Sequence, residues 1–102
     1  MSVSDQVSRL GAREAGARRV AILDLIAAKS LEADEALLRH LESERDERAA
    51  ILIIRHLGDA GRIEAARVMP VLWKLYEDRQ TAVRIAHAAV VVHDRMAVRG
   101  GR

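Results

Sequence analysis

The chain has no cysteine and no phenylalanine, one proline (Pro70) and only two aromatic residues, Trp73 and Tyr76. The lack of cysteine excludes a disulfide-stapled secreted scaffold, a thiolate metal site and a cysteine nucleophile. The shortage of aromatics and proline argues against an all-β domain, which draws on aromatic and β-branched strands broken by Gly and Pro turns. No apolar run approaches the roughly 20 residues needed to span a bilayer. The first thirty residues do not read as a secretory signal. They open on polar residues, carry Arg13, Arg18 and Arg19 before the apolar stretch, and are interrupted by Asp24. A cytoplasmic protein with no membrane partner is expected.

What is present points to helix. Half of the 102 residues are hydrophobic, a share that supports one packed domain. The expected fold class is all-α, with about five helices in a single domain over 1–98. Residues 1–17 are free to fray as an arm, and 99–102 form a flexible tail.

Capping residues and periodicity place the helices. The first is expected over Ser4 to Lys29, with Ser2 and Asp5 as a capping box. Gly11 and Gly16 each weaken it by about 1 kcal/mol relative to Ala. Ser30 caps a second helix, from Leu31 to about Glu42, with Leu37, Leu38 and Leu41 on one face. The stretch 42–48 has no hydrophobic residue and two good caps, Ser43 and Asp46, so a break is expected there. Its carboxylates, Glu42, Glu44, Asp46 and Glu47, lack the Gly and alternating oxygens of a calcium loop and read as a solvated turn. The third helix runs from about Glu47 to Leu57, apolar all round over Ala49–Ile54. Gly58 closes it as a C′ glycine, and Asp59–Gly61 is a turn. The fourth runs from about Arg62 to Glu77, where Pro70 must remove one backbone hydrogen bond and either kink the helix or delay its start. The fifth runs from about Thr81 to Val98. It is apolar nearly all round over Ile85–Val92, so His87 reads as a buried core histidine.

Arg48 and Arg84 each stand at the start of a buried helix preceded by an amphipathic one, an offset within the range of helical solenoid repeats. Stacked pairs would build one continuous core that neither pair buries alone. The stretch Pro70-Val-Leu-Trp-Lys-Leu-Tyr-Glu-Asp78-Arg-Gln-Thr-Ala-Val-Arg84 resembles a HEAT-type repeat over 62–98, with a weaker unit at 31–58. That weaker unit keeps Arg48 but has Asp34 at the proline position and Glu42 or Ser43 at the aspartate position. The resemblance implies that Pro70 bends the first helix of the unit, Asp78 accepts hydrogen bonds in the turn, and Arg84 joins a polar ladder between repeats. A plain five-helix bundle is the alternative.

No catalytic constellation emerges. His40, His56, His87 and His93 form no i, i+4 ligand pair and no Glu-x-x-His motif. His93 and Asp94 are adjacent on a helix and would not face each other. The tripeptide Arg-His-Leu recurs at Arg39 and Arg55, which an Arg- and Leu-rich composition explains. Gly58–Gly61 lacks the lysine and preceding strand of a phosphate loop, and no serine sits in a nucleophile elbow. No enzymatic activity, metal or cofactor is expected.

The remaining signals concern binding. The net charge is +2, but residues 31–60 carry four cations and eight anions, while both ends are basic. This suggests self-association or a polar partner surface. Met69, Leu72, Trp73 and Tyr76 fall at i, i+3, i+4 and i+7 on the fourth helix, with Val68, Val71 and Leu75 free to face the core beneath. The stripe is either a protein interface, for which Trp and Tyr are typical anchors, or the core itself. The leading expectation is a non-enzymatic protein–protein interaction module (a small adaptor, assembly factor or inhibitor) that docks onto another protein or forms a homodimer. The alternative is a nucleic-acid-binding accessory protein whose phosphate contacts are Arg13, Arg18, Arg19, Arg62, Arg67 and Lys74, with Arg95 and Arg99 nearby.

Overall fold

In the computed structural model, which describes residues 2–100, the periodic segments form six helices: α1 (Val3–Arg9), α2 (Ala15–Ala28), α3 (Leu31–Leu41), α4 (Glu47–Ala60), α5 (Ala65–Glu77) and α6 (Val83–Gly100). The domain is all-α, with no strand among the described residues. No helix among them is long and apolar enough to cross a membrane.

Side-chain caps set three of the starts. The Ser2 hydroxyl accepts the Asp5 N–H and Asp5 returns a bond to the Ser2 N–H, closing the expected capping box. Ser30 accepts the Ala33 N–H at 3.2 Å, and Asp46 accepts the Ala49 N–H at 2.9 Å. Between the two expected caps of the polar stretch, Asp46 is the one used.

Three boundaries depart from the sequence reading. The long first helix is two. After Leu10 the chain turns, with Gly11 N–H donating to Ser8 and Ala12 N–H to Arg9, and helix resumes at Ala15. Where an arm was expected, α1 lies against α2 and α3, and Gln6 and Leu10, at its C-cap, are buried. The third expected helix does not stop at Gly58. It runs on to Ala60, and Gly61, with φ of 67°, supplies the left-handed cap. Finally, α5 starts at Ala65 rather than Arg62, with Pro70 inside it. The Ala66 carbonyl, which a residue 70 N–H would have served, lies where Ala66 and Pro70 are both exposed, so water can replace the donor. At the other end, Arg99 and Gly100 belong to α6 rather than to a flexible tail; the rest of that tail, 101–102, lies outside the described residues.

The helices associate as successive neighbours: α1 with α2, α3 with α4, α5 with α6. Between these pairs α4 is central, lying against both α2 and α6. Ion pairs Glu35–Arg67 and Glu42–Lys74 join α3 to α5. The advance along one helix equals that along the other, so α3 and α5 run in the same direction. The principal extents are 39 × 28 × 15 Å, and the smallest suits two helix layers about 10 Å apart. The core is aliphatic, with Ile22, Leu25, Leu37, Leu41, Ile53, Ile54, Val68 and Leu72 fully buried.

At Gly58, α4 and α6 approach closely. It is buried, and a Cβ built on it would stand 2.5 Å from Cγ1 of Val92. The Arg99 guanidinium also reaches the Gly58 carbonyl, at 3.2 Å. Glycine here is a packing requirement rather than a helix stop. Gly58→Ala should destabilise the fold by about 1–2 kcal/mol, the overpacking cost outweighing the helix-propensity gain. Val92→Ala made on top of it should cost about 1 kcal/mol less in urea unfolding than Val92→Ala made alone, a coupling of that size between the two sites.

Candidate functional site

The charged residues sort into those turned inward and those left at the surface. Two carboxylates are buried, one at each end of α3. At its start, Asp34 is 1% exposed. Its Oδ1 lies 2.7 Å from Nε2 of His56 on α4, and its Oδ2 accepts from Arg62 at 3.0 Å. Just past its end, the Glu44 side chain is 0% exposed. It receives the Arg18 fork through Nε at 3.0 Å and Nη2 at 3.0 Å, His40 Nε2 at 2.8 Å, and the Asp46 N–H at 3.0 Å. Arg18 Nη1 also donates to the carbonyls of Ala12 and Arg13, tying down the α1–α2 turn. Burial by itself raises the Glu44 pKa, but the hydrogen bonds from Arg18, His40 and the Asp46 backbone, with the Arg18 charge, outweigh it and bring it to about 2. The bond to Glu44 holds Arg18 above its ordinary value in turn. Asp46 is held low by the Ala49 N–H it caps, then by Arg19 at 3.1 Å.

This arrangement changes the reading of the charged residues. Glu44 is not part of a solvated turn. The repeated Arg-His-Leu is not idle either, since His40 and His56 each hold a buried carboxylate. The recurrence of that tripeptide was the signal available in the sequence. Of the six candidate phosphate contacts, five are engaged with acids of the middle segment: Arg18 with Glu44, Arg19 with Asp46, Arg62 with Asp34, Arg67 with Glu35, and Lys74 with Glu42. Arg13 is exposed and has no ion pair among the described residues.

The apolar stripe on α5 is split by packing. Leu72 is fully buried with Val68, and Met69 is half-buried. Trp73 and Tyr76 are 42% and 46% exposed. Their rings lie 5.2 Å apart, and Trp73 is also 5.2 Å from the His93 ring on α6. The backbone brings His93 and Asp94 to 3.3 Å despite their adjacency. Pro70 and Asp78 border a shallow depression with Trp73, Lys74 and Glu77. Asp78 closes α5 and accepts the Gln80 N–H at 2.9 Å, in the turn expected for it. Arg84 is exposed on the first turn of α6.

The outer face of α6 is also uncovered. Only Ile85, Ala89, Val92 and Met96 are buried on this helix, whereas Val83 is 84% exposed. His87 is not a core histidine; it is exposed and lines a groove of about 480 Å³ between α4 and α6. Among the described residues no group of three His, Asp or Glu side chains could hold a metal ion. No family model, no curated protein and no solved structure matches this chain.

Arg18→Ala should cost about 3 kcal/mol by leaving Glu44 buried without its charged partner, whereas Arg13→Ala should stay within about 0.5 kcal/mol. Because the folded pKa of Glu44 lies below its ordinary 4.5, its contribution is complete above that value and is lost as pH falls toward 2. The loss should reach roughly 3 kcal/mol, read from urea midpoints across that window, and Glu44→Gln should flatten it.

Proposed function

We propose that the chain is a non-enzymatic protein–protein interaction module, a small cytoplasmic adaptor, assembly factor or inhibitor that docks through a helical surface. The observation that carries this reading is the cluster of half-exposed Trp73 and Tyr76 with part-buried His93 across α5 and α6. The chain's only two aromatic side chains stand together half-exposed, flanked by half-buried Met69, while the core is filled by aliphatic residues. Rigid, partly apolar rings of this kind are typical anchors of protein interfaces. HEAT-like stacking is part of the proposal. The common direction of α3 and α5, the contact of α4 with α6 and the Asp78 turn bond support it. The nucleic-acid alternative has less to stand on, since five of its six cations already face carboxylates.

A second copy of the chain is the first partner to test, through this same cluster. Light scattering over a concentration series should show the mass rising from 11.3 kDa toward the dimer. Emission from Trp73, the single tryptophan, should shift blue as it does. Trp73→Ala with Tyr76→Ala should remain monomeric and lose less than about 1 kcal/mol of stability, as expected for half-exposed rings. A wild-type chain that stays monomeric at high concentration removes the homodimer. A double variant that unfolds assigns the cluster to the core.

A further inference from the structure

The groove between α4 and α6 is a different surface from the aromatic cluster, and its chemistry is more specific. Its floor is apolar, built from Ile51 on α4 and Val83, Ala88 and Val91 on α6, with Val92 beneath. Its rim is cationic: Arg55 on α4, and Arg84 and Arg95 near the two ends of the α6 stretch. No carboxylate lines it. None of these three arginines has an ion pair among the described residues, in contrast to the cations that face the α3–α4 acids. From Val83 to Arg95 the groove follows α6 for about 18 Å, or three helical turns. Midway along it, between Val83 and Val91, stand small Ala88 and the exposed imidazole of His87.

We propose that this groove binds an amphipathic helix of a partner protein, with apolar residues at i, i+3 or i+4 and i+7 and with acidic residues flanking them. The apolar stripe would lie on Ile51, Ala88 and Val91, and the flanking acids would meet Arg55, Arg84 and Arg95. The floor disfavours a phosphate backbone, which gains nothing from aliphatic side chains. A second copy of this chain is also a poor occupant. Of the eight acids in its acidic segment, the only part with a negative balance, five are already paired with Arg18, Arg19, Arg62, Arg67 and Lys74. This inference rests on the reading of the chain as an interaction module and names the partner chemistry of a second surface.

The test is an NMR titration of the labelled full chain with a synthetic helical peptide of about 15 residues, Leu at i, i+3 and i+7 and Glu on both flanks. Binding with a Kd on the order of 10 µM is expected, with shifts at Ile51, Arg55 and the amides of Val83 through Arg95. Val83→Glu and Arg84→Glu lie at exposed positions, so both should melt like the wild type while weakening the peptide by about tenfold each. A peptide with Lys for every Glu should bind at least about tenfold more weakly. Equal binding of the Lys peptide, no binding of either, or displacement of the Glu peptide by duplex DNA at lower concentration overturns the proposal. Shifts confined to Trp73 and Tyr76 overturn the groove but leave the interaction-module reading standing.

Discussion

Two carboxylates buried at opposite ends of α3, Asp34 and Glu44, hold the rest of this fold in place. A carboxylate buried among aliphatic side chains is costly unless its oxygens are hydrogen-bonded, and both oxygens of each are occupied here. Each therefore fixes helices from distant parts of the chain. Glu44 binds Arg18 at the start of α2, and through it the turn that docks α1. Asp34 binds His56 on α4 and Arg62 in the connection to α5. The aliphatic core supplies most of the favourable burial, but leucine and isoleucine tolerate sliding. Forked hydrogen bonds to a buried carboxylate do not, so the register between layers follows from these two sites.

The same pairing explains the charge distribution along the chain. An acidic middle between basic ends reads as a surface waiting for a partner, yet much of that charge is satisfied within the fold. Arginines at 18, 19, 62 and 67 and Lys74 all meet acids of the middle segment. What is left uncovered is therefore more informative than the total. It includes two half-exposed aromatics on α5, their rings tilted against each other beside His93, and an apolar groove with three unpaired arginines on α4 and α6. Both lie toward the α5–α6 end of the stack, the end with no further helix pair packed against it.

Sequence reasoning succeeded where the physics is local. The Ser2–Asp5 box, the Ser30 and Asp46 caps and the interior Pro70 all act within one or two turns of the chain, so residue type and spacing suffice to place them. It failed where a residue's role depends on a neighbour tens of positions away. Gly58 carries the composition of a helix stop, but Val92 presses on it from α6, and the left-handed residue is Gly61. His87 sits in an apolar run and is exposed all the same, because α6 buries the side that carries Ile85, Ala89, Val92 and Met96. The stripe on α5 was one pattern in the sequence and two environments in the fold, since Leu72 turns to the core and Trp73, one residue on, does not.

The sequence by itself determined that the chain is helical, where most helices begin, and that its core is aliphatic. Those properties follow from cap chemistry, from periodicity and from the scarcity of aromatics, proline and cysteine. Tertiary structure alone decided which charges are neutralised and which remain on the surface. An arginine pairs with whatever carboxylate the folded chain brings within about 3 Å, and that distance is set by helix packing across 26 to 32 residues of sequence. Helical periodicity, which repeats every 3.6 residues, carries no information at that range.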